Sequence, residues 1–305
     1  MDGILNVYKE AGFTSFDVVA KLRGILKQKK IGHTGTLDPD AEGALPVCIG
    51  TATKVCEYLT GKDKVYRAKL HLGITTDTQD ISGNCLKKQD CRISEERLRE
   101  IISGFTGRIR QIPPMYSALK VNGQKLCDLA RKGIEVERSA REVEIYSIEI
   151  LSVDLPFATM QVHCSKGTYI RTLCQDIGEA AGCGGCMEKL LRVKSGRFSA
   201  EDAYRLKEIE NIAKGVDERG RSLLDILVPT DAVLTDYPGV FARPGTEKIL
   251  INGGRIAPGQ TLCEGVFAPG LYRVYDALGR FIGLYRYDTV RKELKPEKMF
   301  FKRLD

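Results

Sequence analysis

The 305-residue sequence contains no long uncharged apolar run, so it offers no segment of about 20 residues that could cross a bilayer as a helix. Its opening, MDGILNVYKEAGFTSFDVV, has no basic segment followed by an apolar one, which argues against a secretory signal. Internal repeats and low-complexity stretches are also absent. We therefore expect a protein of the cytoplasm that does not enter a membrane.

Histidine is scarce: the chain has only His33, His71 and His163. None of them stands at metal-ligand spacing from the single CxxC pair, Cys183 and Cys186, and a zinc site would need two further ligands. The ten cysteines of a cytoplasmic chain are expected to be reduced and to act mostly as small apolar side chains. The sequence therefore contains no pattern typical of a metal site.

The length of the chain bears on the number of domains, and its net charge bears on the kind of partner. A chain of 305 residues exceeds the size that one core usually serves, which favours a large domain followed by a smaller one. The net charge of +7 and the pI near 8.8 favour a polyanionic partner, but they fit a slightly basic enzyme for a small substrate equally well.

Hydrophobic patterning predicts both helices and strands. Alternation or apolar runs indicate strands at 4–8, 65–73, 143–153 and 159–164. Helix starts are indicated by capping residues at Thr14, Ser94, Thr168 and Ser199, and a short helix is predicted at 124–132. Beyond about residue 236, recurring glycines separate short apolar runs, which is typical of a small all-β domain. We expect domains at 1–236 and 237–305.

The loop at 32–43 is rich in glycine and contains Asp38 followed by Pro39. Proline fixes its own φ and restricts the residue before it to extended conformations. A carboxylate held rigidly in such a loop suits a nucleophile or an acid–base group. A turn whose aspartate bonds its own backbone explains the loop about as well.

The stretch GHTGTLDPDAEGAL at 32–45, followed by GTATK at 50–54, resembles the catalytic motif of the TruB family of pseudouridine synthases. The similarity covers about 3–200, and more weakly the C-terminal β domain. Three other motifs of the family occur in the same order: the opening with Lys9, Gly12 and Ser15, GITTDTQDISG at 73–83, and KGTYIRTL at 166–173.

The resemblance implies an α+β fold, with a catalytic domain built on a central mixed, mainly antiparallel sheet, and a small C-terminal all-β domain similar to PUA domains. It implies isomerisation of uridine 55 in the TΨC loop of tRNA to pseudouridine, without cofactor or metal. The basic stretch at 113–141 resembles the thumb-like insertion with which the family contacts the T-arm. We expect a monomer that needs no protein partner.

The resemblance makes Asp38 the nucleophile, and leaves open whether it attacks the base at C6, attacks the sugar at C1′ or promotes glycal formation. Tyr66 is expected to stack on the flipped base and to move a proton in later steps. Arg171 is expected to pair with Asp38. If Thr168 caps its helix, Arg171 lies in the first turn, where the helix dipole disfavours a cation, so an anionic partner is independently indicated.

Other positions match the family in supporting roles. His33 is expected to displace or replace the flipped base, Tyr169 to form a pocket wall, and Asp80 to contact the RNA loop. Lys9 is placed in the set of RNA-contacting residues, and its main expected role is to support the loop structurally. Leu191 replaces the first arginine of a family Leu-Arg-Arg stretch. The cations expected to contact RNA are Lys120, Lys125, Arg131, Lys132 and Arg141 of the insertion, and Lys292, Lys295, Lys298, Lys302 and Arg303 near the C-terminus.

Three other functions remain open on sequence alone. The chain could assist tRNA folding by binding alone, or it could belong with the guide-RNA-dependent relatives, which share a similar loop but generally lack the insertion. A metal-dependent nuclease using Asp38 and Asp40 is the weakest, because it needs further carboxylates converging on magnesium.

Overall fold

The fold is described from a computed structural model for residues 1–301. The strands are β1 (Gly3–Lys9), β2 (Ile31–His33), β3 (Glu42–Ile49), β4 (Lys64–Leu72), β5 (Ile74–Thr76), β6 (Cys85–Lys88), β7 (Gly107–Gln111), β8 (Lys120–Val121), β9 (Gln124–Lys125), β10 (Arg141–Asp154), β11 (Phe157–Cys164), β12 (Gly185–Ser195), β13 (Phe198–Ser199), β14 (Leu227–Val228), β15 (Gly239–Phe241), β16 (Leu271–Tyr275), β17 (Phe281–Asp288) and β18 (Glu293–Met299). The α-helices are α1 (Ser15–Leu26), α2 (Cys56–Thr60), α3 (Glu95–Ser103), α4 (Leu126–Ala130), α5 (Ile170–Ala180), α6 (Leu206–Ala213) and α7 (Glu247–Ile251). No helix within these residues is both long and apolar enough to cross a membrane.

Ten strands form one central sheet, whose main path runs β14-β1-β3-β12-β4-β11-β10-β7. β2 pairs with β3 and β13 with β12 at its margins. Every pairing in this sheet is antiparallel except the one between β3 and β12, which is parallel. The predicted mixed, mainly antiparallel sheet is therefore confirmed.

The alternation in β4 determines which face of the sheet is covered. Ala68, Leu70 and Leu72 are fully buried, whereas Arg67 is exposed and Lys69 partly exposed. The buried face packs against α3 and α5, which contribute Leu98, Ile102, Leu173 and Ile177 to the same apolar cluster. Because period-2 alternation places successive side chains on opposite faces, the pattern fixes the orientation of Tyr66 as well.

The capping box predicted at the start of α1 is confirmed. The Asp17 amide donates to the Thr14 hydroxyl at 3.0 Å, and the Thr14 amide donates to the Asp17 carboxylate at 2.8 Å. Such a cap contributes about 1 kcal/mol to helix stability. It also fixes Ser15, whose hydroxyl accepts the Leu37 amide at 2.9 Å, so the start of α1 is attached to the glycine-rich loop. The cap predicted at Ser94, whose hydroxyl accepts the Arg97 amide, is also confirmed.

Three predicted helix boundaries are wrong. α5 begins one residue later than expected, with Tyr169 as its N-cap, because the Thr168 hydroxyl donates backwards to the Ser165 carbonyl. Ser199 starts no helix, because its backbone pairs with β12 in β13 and its bond to Asp202 closes only a turn. In the insertion the predicted helix at 124–132 is shortened to α4, since residues 124–125 form β9 with β8.

The insertion leaves the sheet between two paired strands. β7 and β10 are antiparallel neighbours, with Gln111 opposite Arg141, so residues 112–140 form an excursion that returns to the position it left. The excursion has its own small apolar cluster around Met115, Leu126 and Leu129. It is therefore a packed unit projecting from the sheet, and its role in RNA binding remains a prediction.

The C-terminal part is a separate four-stranded sheet in the order β15-β16-β17-β18, with one short helix, α7, added to the predicted all-β pattern. Leu284 and Phe300 pack in one apolar cluster with Cys48 and Val55 of the first part. The boundary at 236/237 remains a prediction.

The C-terminal lysines differ in their surroundings. Lys298 forms an ion pair with Glu57 and is partly buried, so a phosphate would have to compete with that carboxylate. Its contact with phosphate remains a prediction. Lys292 and Lys295 are exposed, which leaves their ammonium groups accessible. Lys302 and Arg303 lie outside the described residues.

The CxxC cysteines do not form a pair with each other. The Cys183 thiol instead lies 3.1 Å from the thiol of Cys91, and Cys186 is fully buried. Within residues 1–301 no cluster of three or more His, Cys, Asp or Glu side chains is arranged to hold a metal ion.

Candidate active site

The loop at 34–41 presents Asp38 at a tight turn. The Ala41 amide donates to the Asp38 carbonyl at 3.2 Å, and Pro39 occupies the second position of this turn, where its fixed φ fits. The Asp38 carboxylate does not close the turn; it accepts hydrogen bonds from Arg171. The turn is therefore stabilised by the backbone, which leaves the carboxylate available to partners across the cleft.

A buried lysine supports this loop from one side. The Lys9 ammonium donates to the carbonyls of Pro39 at 2.7 Å and Ala41 at 2.5 Å, and the Lys9 side chain is fully buried. Burial lowers the pKa of Lys9 to about 8 against the opposing effect of nearby carboxylates. Lys9 cannot reach RNA directly, so its grouping with the RNA-contacting residues is wrong, and its expected role in loop support fits the geometry.

A buried arginine supports the loop from the other side. Arg192 donates from Nε to the Ala44 carbonyl at 2.7 Å, and from its two terminal nitrogens to the Thr36 and Gly35 carbonyls at 3.3 Å each. Only 1% of Arg192 is exposed. Because both cations donate to backbone carbonyls, the loop conformation depends on charge-assisted hydrogen bonds at both ends.

Gly43 is required at the end of this loop. Its φ is +108°, and a Cβ placed there would lie 2.3 Å from the Arg192 carbonyl oxygen. The close approach arises from the parallel pairing of β3 with β12, in which Gly43 is opposite Arg192. Gly32 and Gly35, by contrast, do not have positive φ, so only one of the three glycines supplies the unusual backbone conformation expected here.

Arg171 binds Asp38 with two nitrogens. Its Nε lies 3.0 Å from Oδ2 and one terminal nitrogen lies 3.2 Å from Oδ1, so the predicted ion pair is present in bidentate form. The same guanidinium donates to the carbonyl of Tyr116 at 2.7 Å and that of Thr78 at 2.9 Å, and lies 3.6 Å from the Asp80 carboxylate. Arg171 thus connects the Asp38 loop, the turn after β5 and the insertion.

The surroundings of Asp38 shift its pKa in opposite directions. Burial raises the pKa of this carboxyl, the Arg171 guanidinium lowers it, and the neighbouring Asp80 raises it again, with a net upward shift. The side chain is still 36% exposed towards the cleft, while Arg171 is only 5% exposed. Asp38 is therefore a fixed, accessible carboxylate whose basicity is increased relative to an aspartate in water, as a nucleophile or base requires.

Two adjoining hollows of about 600 and 590 Å³ meet at Asp38 and Arg171, which line both. The wall of the first hollow contains more carboxylates than cations: Asp40, Glu42, Asp80 and Glu188, against Arg131 and Lys189. The second contains more cations than carboxylates, with two aromatic side chains: Lys64, Arg141, Lys166 and Arg192 against Glu142, with Tyr66 and Tyr169. The cleft is thus acidic on one side of Asp38 and basic on the other.

The two tyrosines lie where the sequence places them. Tyr66 on β4 and Tyr169 at the start of α5 both line the second hollow, and burial raises the pKa of each phenol. Gln111 fixes Tyr169 by bonding both its backbone amide and its carbonyl, at 3.0 and 3.1 Å. Aromatic side chains in the wall of a hollow suit a flat ligand with apolar faces, such as a nucleobase.

His33 is placed differently from the other predicted site residues. It ends β2, just before the loop, and neither hollow is lined by it among the described residues. Burial, with a smaller effect of Arg192, lowers the pKa of its imidazole. A direct part for His33 in displacing a base remains a prediction that would require the loop to move.

The predicted RNA-contacting cations of the insertion are all exposed, and two of them reach the cleft. Arg131 lines the first hollow and Arg141 the second. Lys120, Lys125 and Lys132 are exposed but line neither hollow. Their accessibility is compatible with phosphate contacts but does not itself test them.

Several contributors were not identified from sequence. Lys64 lines the second hollow, Gln111 holds Tyr169, and Tyr116 contributes a backbone carbonyl to Arg171. Arg192 carried one signal, its position in the stretch at 190–192 that resembles a family Leu-Arg-Arg motif, but its function could not be read from that. These contacts join residues far apart in the chain, so local patterns could not indicate them.

The paired Asp38 and Arg171, in a cleft over a mixed sheet, agree with the arrangement that the sequence resemblance to the pseudouridine synthases implies. Two family models match the chain: the TruB family pseudouridylate synthase N-terminal domain over residues 23–170, and the tRNA pseudouridylate synthase B C-terminal domain over 171–235. The chain belongs to the TruB family and is a pseudouridine synthase.

Curated relatives agree over nearly the full length. The protein named tRNA pseudouridine synthase B from Lachnoclostridium phytofermentans is 50% identical and the alignment covers 98% of this chain and 100% of the relative. The protein of the same name from Clostridium acetobutylicum is 45% identical, with 93% and 95% covered.

Solved structures are similar at lower identity. A Cbf5-Nop10-Gar1 complex contains a chain of TM-score 0.73 and 27% identity, covering 99% of this chain and 85% of that one. An H/ACA ribonucleoprotein bound to a substrate RNA containing 2′-deoxyuridine gives a TM-score of 0.72 and 25% identity, with 99% and 86% covered. The α+β fold with its separate C-terminal β-sheet is thereby confirmed.

Proposed function

We propose that this protein isomerises uridine 55 in the TΨC loop of tRNA to pseudouridine, with Asp38 as the nucleophile. The observation that carries the proposal is the bidentate contact between Asp38 and the buried Arg171 on the floor of the cleft. The names of the relatives in Lachnoclostridium and Clostridium support tRNA as the substrate.

The chemistry is a rearrangement within one nucleotide. The N1–C1′ bond breaks, the base turns, a C5–C1′ bond forms, the C5 proton leaves and N1 gains a proton. Electrons and atoms balance without a redox partner or a second substrate. Asp38 acts at C6 of the base, at C1′ of the sugar or through a glycal, and Arg171 keeps its carboxylate oriented for each of these.

Side chains of the second hollow receive the flipped base. Tyr66 stacks on the base, and Tyr169 forms part of the wall of the same hollow. Extrusion of a base costs a few kcal/mol, which stacking and phosphate contacts offset. Lys64, Arg141 and Lys166 surround this hollow and provide the positive charge that the neighbouring phosphates need.

The loop after β5 holds the catalytic pair and faces the RNA. Asp80 lies 3.6 Å from Arg171, and its carboxylate accepts hydrogen bonds from Thr78 and Ser82 at 2.8 and 2.6 Å. It positions Arg171 for Asp38 and lines the hollow through which the T-loop approaches.

The insertion contacts the T-arm stem through its exposed cations. The protein works in the cytoplasm as a monomer.

A function by RNA binding alone is the second candidate, because the exposed cations of the insertion would serve a folding factor equally well. A guide-RNA-dependent function is less favoured, because this chain is less similar to proteins that work in larger assemblies. It is 25% and 27% identical to the chains of the H/ACA ribonucleoprotein and the Cbf5-Nop10-Gar1 complex, but 45% and 50% identical to relatives named as tRNA synthases.

The test uses an unmodified tRNA transcript with tritium at C5 of uridine, purified protein, and neither metal nor guide RNA. Isomerisation releases the tritium. Wild type should release it from position 55 only, and Asp38→Asn should release none while binding normally. Asp154→Asn, which changes an exposed carboxylate of β10 that lines neither hollow, should stay active. Tight binding without release by wild type would favour the folding factor, and release by Asp38→Asn would refute the nucleophile.

A further inference from the structure

Arg192 is a fully buried cation with an unusual set of partners. Its hydrogen bonds go to the backbone carbonyls of Gly35, Thr36 and Ala44, and no carboxylate of residues 1–301 forms an ion pair with it. Burial of an unpaired charge is costly, and carbonyl acceptors compensate only in part. A neutral side chain would avoid that cost, so the positive charge itself is expected to have a use.

The charge faces the active-site tyrosine. In the antiparallel pairing of β12 with β4, Arg192 is directly opposite Tyr66, and the two side chains line the second hollow together with Asp38. Because directly opposite residues of paired strands share one face of the sheet, the guanidinium and the phenol lie on the same side, and the positive charge lowers the pKa of Tyr66, although burial raises it more. The same guanidinium also lowers the pKa values of Lys64 and His33, so its field extends across this part of the cleft.

A guanidinium has no hydrogen-bond acceptor, so the Tyr66 hydroxyl cannot donate its proton to Arg192. The Tyr66 proton is therefore available to a base bound in the hollow that both side chains line. The guanidinium also stabilises negative charge on the oxygen once the proton has left. Arg192 is therefore suited to a tyrosine that gives up one proton and takes another during the reaction.

We infer that Arg192 is the positioning residue for proton removal from C5, acting through Tyr66. This inference rests on the proposed isomerisation. The Tyr66 hydroxyl gives its proton to N1 of the turned base, and the resulting phenolate, held beside Arg192, accepts the C5 proton. The electron pair of the C5–H bond restores the ring double bond, and Tyr66 returns to its starting state.

Isotope substitution separates this role from simple support of the loop. Single-turnover rates are compared for tRNA transcripts with hydrogen or deuterium at C5 of uridine. Arg192→Gln should slow the hydrogen substrate by on the order of 10²-fold, the usual size of a lost proton-transfer contribution. Its hydrogen-over-deuterium rate ratio should rise clearly above that of wild type, since C5 deprotonation becomes limiting. Lys194→Gln, which removes an exposed cation on the same strand, should change neither value.

A 5-fluorouridine transcript isolates the earlier steps. Fluorine at C5 leaves no proton to remove, so the reaction stops after the C5–C1′ bond forms. Arg192→Gln should consume this substrate at close to the wild-type rate, measured by nucleoside digestion and mass spectrometry. Equal slowing on both substrates would overturn the inference and leave Arg192 as a loop support only.

Two further variants cover the possibility that Arg192→Gln does not fold. Arg192→Lys keeps the charge and should recover part of the C5 step, with the isotope ratio moving back towards wild type. In a Tyr66→Phe background, Arg192→Lys should cause no additional slowing of that step, because the two residues act as one unit. Additive effects would contradict the inference. A wild-type protein that releases no tritium at all would instead refute the proposed function.

Discussion

Arg171 contacts both oxygens of Asp38, at 3.0 and 3.2 Å, and also reaches two other segments of the chain. The backbone carbonyls of Thr78 and Tyr116 accept its remaining donors. The guanidinium therefore couples the position of Asp38 to the turn after β5 and to the insertion. RNA contact with either segment can reach Asp38 through a single side chain.

The bidentate contact predicts a strong effect of Arg171→Lys. Lysine keeps the charge but cannot bind two oxygens in one plane, so Asp38 loses its fixed direction. Single-turnover tritium release should fall by about 10²–10³-fold, whereas tRNA affinity measured by filter binding should change little. Arg205→Lys serves as the control, because that arginine forms an ion pair with Glu10 away from the cleft. An affinity loss matching the rate loss would contradict this role.

The pH profile of kcat/KM should be bell-shaped. Asp38 acts as an anion and its pKa is raised, so activity is lost as pH falls through that raised value. Lys9 and Lys64 hold their partners as cations, and burial lowers the pKa of each to about 8, so activity is lost above about pH 8. Lys64→Gln separates the contributions of the two lysines, because a loss of activity at alkaline pH that persists in this variant belongs to Lys9. A wild-type profile that is flat from pH 5 to 10 would exclude the assignments to Asp38 and to the lysines.

The insertion should contribute to the salt dependence of RNA binding. If Lys120 and Lys125 contact phosphates, replacing both by Gln should reduce the slope of log K against log salt by about 0.7–0.9 for each phosphate that is no longer neutralised. Lys207→Gln with Lys214→Gln provides the matched control, since both of those ammonium groups are paired with Glu210. An unchanged slope in the first pair would show that these lysines do not contact the RNA.

Gly43→Ala should destabilise the protein. The φ of +108° is unfavourable for alanine, and the added Cβ would lie 2.3 Å from the Arg192 carbonyl. Urea denaturation should show a loss of roughly 2–4 kcal/mol in unfolding free energy, as expected for backbone strain combined with a clash. Gly35→Ala is the control: its Cβ would meet only the Arg192 side chain, at 3.7 Å, and should change stability little.

Much of the architecture could be predicted because it depends on local patterns. The alternation of Ala68, Leu70 and Leu72 fixes a strand and its buried face, and Thr14 with Asp17 fixes the start of α1. Local patterns did not predict helix starts correctly where a hydroxyl side chain could cap a helix or bond elsewhere. The Thr168 hydroxyl bonds backwards to Ser165, and Ser199 joins a strand, so neither starts a helix.

The sequence by itself determined the family, the α+β class and the identity of Asp38, Tyr66 and Arg171 as the residues to examine, because these depend on the order of residue types along the chain. Only the tertiary structure decided that Lys9 is buried beneath the loop and that Arg192 lies opposite Tyr66. Both cations bind carbonyls of the Asp38 loop, and for Arg192 those carbonyls belong to residues about 150 positions away along the chain. Such contacts depend on strand register and packing, which no short stretch of sequence specifies.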